Sequence, residues 1–205
     1  NIANNLTNLG RRLEAEALYR RSREALQAAG EPLLVAQVNY GLACLRFLNG
    51  EYAAAIAELE EVRPALASVG AGPLLALADL DLAEALLAIR LYPEALTLAR
   101  SAARWFAAHG VPSDRARCDL LRGIALARLG RAGHAVAALD AAERVFRTQH
   151  MQTGRATVWL ARARLAQLRT RHQEAVRHAL RARAVFARAG FPGRALAAGA
   201  VAAEP

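Results

Sequence analysis

The sequence predicts an all-α protein built from helix pairs that stack with a period of 40 residues. Its 205 residues are dominated by Ala, Leu and Arg, with 55% hydrophobic and 5% aromatic residues, and this composition favours helices over strands. Residues typical of turns recur at the same interval, which is the signature of a stacked helical repeat. A chain of this length can bury a continuous core between such pairs.

Turn residues divide each period into two helices. One set closes each period: Gly30, Gly70, Gly110, His150 and Gly190. A second set lies half a period away: Gly10, Gly50, Arg90, Gly130 and Thr170. Glycine after a helix favours the left-handed conformation that ends it, and Pro32, Pro73 and Pro93 stand where a first helical turn tolerates proline. We therefore expect roughly ten helices of about 16 to 19 residues, joined by tight turns.

The period predicts five units and a closing helix in one solenoid over residues 1–205. The units span about residues 1–30, 31–70, 71–110, 111–150 and 151–190, and a short closing helix lies near residues 194–203. The chain does not begin with Met and opens on residues that read as the end of a helix, so we expect a fragment of a longer chain.

Two recurring apolar positions predict how the helices pack. A small residue, five positions after each half-period turn, lets the helices of one pair approach closely: Ala15, Ala55, Ala95, Ala135 and Ala175. A large residue, four positions before each closing turn, is expected to seal one pair against the next: Leu26, Leu66, Phe106, Phe146 and Phe186. Pro64 interrupts a second helix and predicts a kink or an early end there.

The turn sequences resemble the tetratricopeptide repeat (TPR). In LACLRFLNGEYAAAIAELEEV, residues Gly50, Tyr52 and Ala55 match the Gly-x-Tyr-x-x-Ala signature of that family, and LYPEALTLARSA repeats it with Tyr92 and Ala95. The later units replace the tyrosine, and the period is longer than the usual one. The long units are most similar to the repeats that precede bacterial caspase-like CHAT domains and to those of large bacterial regulators.

The resemblance implies a right-handed solenoid with a protein-binding surface. First helices would line a concave groove and second helices would form the convex surface. Arrays that clamp the acidic C-termini of heat-shock chaperones carry polar or basic groups in that groove. Asn4 matches one of them, but Gly41, Leu77 and Asp81 do not, so this partner is disfavoured.

The sequence carries no motif for catalysis, for a metal or for a membrane span. It lacks a glycine-rich phosphate loop and a nucleophile elbow, and Cys44 and Cys118 have neither disulfide nor zinc-site spacing. His172 and His178 are six residues apart and do not share a helix face. We therefore expect no enzymatic activity in this segment, no cofactor, no metal and no membrane partner. The cysteine usage favours a reducing cytoplasm.

Charge is distributed unevenly along the chain. Residues 1–100 contain 9 arginines and 12 acidic residues, whereas residues 101–205 contain 18 arginines and 6 acidic residues. All 27 basic residues are arginine, which fits a GC-rich coding sequence or selection for guanidinium chemistry. The basic half is therefore where an acidic partner is expected to bind.

The first helices of the last two full units carry the candidate binding residues. They are Arg115, Arg117, Arg122, Arg155, Arg162 and Arg164, with Tyr40 and Phe47 on an earlier first helix. Arg115 and Arg122, seven residues apart, are predicted to form one basic lane in the groove, which Arg155, Arg162 and Arg169 continue. This lane would bind an acidic peptide, a terminal carboxylate or nucleic-acid phosphates. The alternative is structural: Arg122 and Arg162 extend from a partly buried lane to Asp119 or to helix-end carbonyls.

The leading hypothesis is a non-catalytic scaffold or sensing module of a larger bacterial protein, which binds proteins or peptides through a basic groove. The alternative is nucleic-acid binding through the basic C-terminal half, which lacks the interleaved aromatic residues of single-strand binders. The arginine-rich helix RHQEAVRHALRARAVFARAG, residues 171–190, is interpreted as a solvated face on which Glu174 pairs with Arg177 or His178.

Overall fold

The computed structural model describes Ala3, Leu6 and residues 10–203, and this part of the chain is all-α, without a strand. Ten helices follow one another in it: α1 (Arg12–Ala28), α2 (Pro32–Leu48), α3 (Tyr52–Ser68), α4 (Gly72–Ala88), α5 (Tyr92–Ala108), α6 (Pro112–Arg128), α7 (Ala132–Thr148), α8 (Gln152–Leu168), α9 (His172–Arg188) and α10 (Pro192–Ala203). The first nine of these each have 17 residues, and three residues join each helix to the next. The predicted all-α fold of paired helices is confirmed. Asn4, which matches a groove asparagine of the chaperone-clamping arrays, lies outside the described residues.

Each turn adopts the same backbone conformation. The N–H of Glu31 donates to the carbonyl of Leu26, with an N···O distance of 3.1 Å, and Gly30 between them has a φ of 70°. This is the Schellman motif, which satisfies the last carbonyls of a helix. The same positive φ occurs at Arg90, His150 and Thr170, the three turn positions that the period predicted without a glycine.

The chain divides into two compact units, Asn1–Leu98 and Ala99–Pro205, and α5 crosses the boundary. In the first unit α2 packs against α1, α3 and α4. In the second unit α8 packs against α6, α7, α9 and α10. Within each unit, successive even-numbered helices thus contact one another as well as their neighbours in sequence. In the second unit, α6 buries eight of its 17 residues, whereas α9 buries four.

Small residues bring the two helices of a pair together, as the sequence predicted. The five alanines of the recurring position are at most 2% exposed. In the second unit, a Cβ added to Gly123 of α6 would lie 2.7 Å from the side-chain carbons of Leu139 on α7. Close approach of the two helices therefore requires glycine or alanine where they touch.

Phe146 seals α7 against α8, the first helix of the following pair. Its side chain is 1% exposed, and its ring lies directly over the backbone of Gly154, where an added Cβ would be 2.9 Å from ring carbons. This contact confirms the predicted role of Phe146.

Pro64 does not end its helix. Helix α3 continues through Pro64 to Ser68, so the expectation of an early end was wrong. The carbonyl that loses its amide donor belongs to Glu60, an exposed residue, and it can therefore bind water.

Candidate functional site

The contacts between even-numbered helices define one surface of each unit, here called the even-helix face. In the first unit, the Tyr40 hydroxyl of α2 donates to Asp81 Oδ2 of α4 at 2.6 Å, and Cys44 Sγ lies 3.7 Å from the same oxygen. In the second unit, Gln167 Nε2 of α8 donates to the carbonyl of Val201 on α10 at 3.2 Å. Residues at the same positions of the 40-residue period belong to this face in every unit.

Arg162 and Arg155 lie on the opposite side of α8, here called the odd-helix side. Arg162 Nη2 is 2.7 Å from both Asp140 Oδ1 and Glu143 Oε2 of α7. The guanidinium of Arg155 lies 5.1 Å from the ring centroid of Trp159, whose Nε1 donates to Glu143 Oε1 at 2.8 Å. Arg162 therefore joins α8 to α7, whereas Arg155 contacts Trp159 of its own helix.

Arg122 and Arg115 occupy the same side of α6. Arg122 Nη1 lies 2.6 Å from Asp119 Oδ1, and Arg115 Nε lies 3.8 Å from Asp119 Oδ2. Asp119 is only 5% exposed. Burial raises the pKa of its carboxyl, against the opposing effect of Arg122 and Arg115. The structural alternative, in which Arg122 extends to Asp119, is the arrangement observed.

The predicted lane of Arg115, Arg122, Arg155 and Arg162 therefore shares one side of its helices, but the six candidate arginines do not all lie on one face. Arg117 precedes Arg122 by five residues, which places the two side chains about 140° apart around an α-helix. Arg164 and Arg162 are similarly on different sides of α8. The structure keeps Arg115, Arg122, Arg155 and Arg162 together on the odd-helix side, and it leaves Arg117 and Arg164 on the even-helix face.

The even-helix face of the second unit combines two cations with apolar side chains. Arg117 is 39% exposed and lies 3.3 Å from Asp114 Oδ1. Arg164 is exposed and forms no ion pair with any described residue. Ile124 and Leu160 lie on the same face and are half-buried. This surface can take both a carboxylate and an aliphatic group.

In the first unit, the even-helix face has different chemistry. Burial and the neighbouring Asp81 carboxylate raise the pKa of the Tyr40 hydroxyl far above its usual range. Tyr40 thus acts as a neutral hydrogen-bond donor to Asp81. Phe47 is half-buried, and its ring centroid lies 5.5 Å from that of Tyr52. Sequence reasoning missed the Tyr40–Asp81 contact, although their separation of 41 residues, one period plus one, could have signalled it.

The arginine-rich helix α9 is solvated as predicted, with one change of partner. Glu174 Oε1 lies 3.9 Å from His178 Nε2, and Glu174 Oε2 lies 3.4 Å from Arg171 Nη1. The expected pair with His178 is present, whereas Arg171 replaces Arg177 as the arginine partner. Burial lowers the pKa of His178, and Arg162 adds to this effect.

The described residues offer no metal-binding cluster. Among them, no group of three or more His, Cys, Asp and Glu side chains could hold a metal ion. Cys118 is fully buried, and burial raises the pKa of its thiol to about 12, which removes the thiolate that nucleophilic chemistry needs. None of the described helices combines the length and the apolar character that crossing a membrane requires.

Several solved structures have the same helical arrangement. A Podosopora anserina putative kinesin light chain with nearly identical TPR-like repeats aligns with a TM-score of 0.67 and 20% identity, covering 92% of this chain and 93% of that one. A substituted variant of the same protein aligns with a TM-score of 0.68, with the same identity and coverage. BtubC (BKLC) from P. vanneervenii aligns with a TM-score of 0.60 and 16% identity, covering 89% of this chain and 85% of that one.

The chain has a TPR-like repeat fold. The identities are low, so the likeness concerns the fold and not the residues of a site. No family model matches the sequence, and no curated protein is significantly similar to it.

Proposed function

We propose that the chain is a protein-binding scaffold and that the even-helix face of its second unit binds an acidic segment of a partner protein. One observation carries the proposal: Arg164, an exposed arginine without an ion pair to any described residue, lies on the same face as Arg117 and the half-buried Leu160. Solenoids of this fold offer an extended surface of rigid helices.

The chemistry of this face matches a peptide that alternates carboxylates with aliphatic side chains. A guanidinium binds a carboxylate through two parallel hydrogen bonds. Arg164 has its donors available for such a pair, and the partly exposed Arg117 adds a second positive charge to the same face. Ile124 and Leu160 would contact the aliphatic side chains. The helices fix the backbone positions of all four residues before binding, which reduces the entropy cost of association.

We also propose that the scaffold serves as the interaction or sensing module of a larger, cytoplasmic bacterial protein. The resemblance of the 40-residue units to repeats that precede caspase-like CHAT domains supports this context. In that case catalysis belongs to another domain, because the two cysteines of this segment have no catalytic setting and Cys118 is fully buried.

The test compares two double charge reversals. The partner is first recovered by pull-down with the folded chain, and its acidic segments are made as peptides alongside copies in which Asn and Gln replace Asp and Glu. Arg117→Glu with Arg164→Glu should weaken binding of the acidic peptides at least about tenfold, since each removes a charge-assisted hydrogen bond. The control is Arg177→Glu with Arg188→Glu on the exposed face of α9, which should bind like the parent protein.

Both variants must first show the helicity and melting temperature of the parent protein. If the folded variant of the even-helix face binds as tightly as the parent, or if both variants lose affinity equally, the even-helix face is not the binding site.

A second candidate function is binding of nucleic acid by the second unit. Every described carboxylate of this unit already forms an ion pair with an arginine, and Arg144, Arg147 and Arg188 remain exposed on α7 and α9. A titration of binding against salt distinguishes this candidate. Contacts to phosphates give a steep slope, about −0.9 per phosphate neutralised on duplex DNA, and here the α9 variant would be the weaker binder.

A further inference from the structure

Contacts between an odd-numbered helix and the next even-numbered helix recur at residues sixteen apart. Arg63 Nε of α3 lies 2.5 Å from Asp79 Oδ1 of α4. Glu143 Oε1 of α7 accepts a hydrogen bond from Trp159 Nε1 of α8 at 2.8 Å. The two contacts occupy the same position of the 40-residue period, and at these two steps the position joins successive pairs through a polar contact.

One odd-numbered helix has no polar group at this position, and there the polar group of the next even-numbered helix pairs with side chains of its own helix. Ala103 stands at the position of Arg63 and Glu143, and Asp119 stands at that of Asp79 and Trp159. Asp119 is paired with Arg122 and Arg115 of its own helix instead. Both buried carboxylates at this position therefore have a guanidinium partner.

The step from α9 to α10 is the reverse case, with a guanidinium and no carboxylate. Arg183 stands at the position of Arg63, and Gly199 stands at that of Asp79. A Cβ added to Gly199 would lie 3.7 Å from Arg183 Cδ and 3.9 Å from Arg183 Nε. Arg183 is exposed and forms no ion pair with any described residue. Its side chain thus lies beside the place from which an aspartate side chain would extend.

A cleft of about 820 Å³ opens between α9 and α10 at this point, within the size range of sites that bind peptides and small molecules. Among the described residues that line it, Arg183 alone is charged. The remaining lining is apolar or small: Ala187, Gly190, Pro192, Ala195, Leu196, Gly199, Ala200 and Ala203. Leu196 is 75% exposed. The cleft therefore offers a cation beside an aliphatic surface.

We propose that this cleft binds an acidic side chain of a partner protein, with the carboxylate on Arg183 and an adjacent aliphatic side chain on Leu196. The Arg63–Asp79 pair of the same chain is the template, because it shows a carboxylate bound by an arginine at this position of the period. The cleft is separate from the even-helix face of the proposed function. Gly199 and Arg183 lie on the odd-helix side of the period.

The probe is a terminally blocked Leu-Asp-Leu tripeptide, with blocked Leu-Asn-Leu as its uncharged isostere. In NMR titrations of the full chain, Leu-Asp-Leu should produce saturable shifts in the amides of Gly199, Ala200 and Ala203. Leu-Asn-Leu should bind about tenfold more weakly, because it cannot accept the paired charge-assisted hydrogen bonds of Arg183. Arg183→Gln should remove the difference between the two tripeptides, whereas Arg177→Gln, an exposed arginine of the same helix outside the cleft, should preserve it.

A second variant supplies the carboxylate from within the chain. Gly199→Asp should raise the melting temperature above that of Gly199→Ala, which corrects for helix propensity, and it should abolish binding of Leu-Asp-Leu. Combining Gly199→Asp with Arg183→Gln should remove this increase in melting temperature. Equal binding of both tripeptides, an equal effect of Arg177→Gln, or unchanged binding by Gly199→Asp would overturn the proposal. Arg183→Gln should leave binding at the even-helix face intact, so this result and the test of the proposed function are independent.

Discussion

Three residues adopt a left-handed backbone that glycine supplies at the other turns. Thr170 is the most unfavourable of them, with a φ of 54°, because its branched Cβ crowds the backbone in this conformation. Its turn nevertheless makes the same hydrogen bond as the others: Arg171 N–H donates to the Ala166 carbonyl at 2.9 Å. The repeating turn geometry is therefore imposed by the helices on both sides and not by the turn residue.

Thr170→Gly should increase the free energy of unfolding by about 1 kcal/mol, since it removes the steric cost of the left-handed conformation. The matched control is Gly130→Thr, forty residues earlier, where φ is 73°. This variant should lose a similar amount of free energy of unfolding. Both are measured by chemical denaturation. A Thr170→Gly variant that is less stable than the parent would show that the threonine side chain has a stabilising role in the turn.

At the residue scale, the sequence predicted the turns but not the direction of the arginines. The turns repeat at fixed positions, so Arg90 and His150 could be placed by analogy with glycines. Which side of α6 faces α7 depends on the rotation of α6 about its own axis, and the spacing of residues in the sequence does not determine that rotation. Gly123 packs on Leu139 of α7, and this contact fixes the rotation of α6, but the spacing of the arginines does not reveal it.

At the scale of elements, stability depends on a few large side chains between helix pairs. Phe146 is the best defined of these because its ring is buried against a glycine of the next pair. The sequence predicted this contact correctly, since a large residue recurs four positions before each closing turn. It did not predict that α3 would continue past Pro64, because the outcome depends on whether the freed carbonyl faces water.

Phe146→Ala should reduce the free energy of unfolding by about 3 to 5 kcal/mol, through lost burial and the cavity that remains. Phe191→Ala is the control: that ring is 44% exposed, and its removal should cost less than about 1 kcal/mol. Denaturant titration followed by circular dichroism measures both. Equal small losses in the two variants would show that Phe146 does not hold the pairs together.

At the scale of the whole molecule, charge follows the division into two compact units. Residues 1–98 contain 8 arginines and 12 acidic residues, a net charge of −4, and residues 99–205 contain 19 arginines and 6 acidic residues, a net charge of +13. Repulsion among like charges opposes the compact state of the second unit. Ions at about 0.1 M reduce this repulsion beyond roughly 10 Å.

Added salt should therefore stabilise the second unit more than the first. Hydrogen exchange of the full chain, compared at low and moderate NaCl concentration, should show slower exchange across residues 112–203 and little change across residues 32–88. Sodium sulfate at matched ionic strength serves as a check on specific anion binding. Uniform slowing across both ranges would indicate a general salt effect and would contradict this account.

The constant helix length has a consequence for how such a chain can change over time. Across residues 12–188, helices of 17 residues and turns of three residues place every side chain by its position in a 40-residue count. One inserted residue within a helix would rotate everything after it by about 100° and would separate each buried side chain from its contact. A duplicated or deleted block of 40 codons would leave every turn and every contact in register. Growth by whole blocks is therefore the change in length that this architecture accepts most readily, and the exposed surface can be diversified block by block.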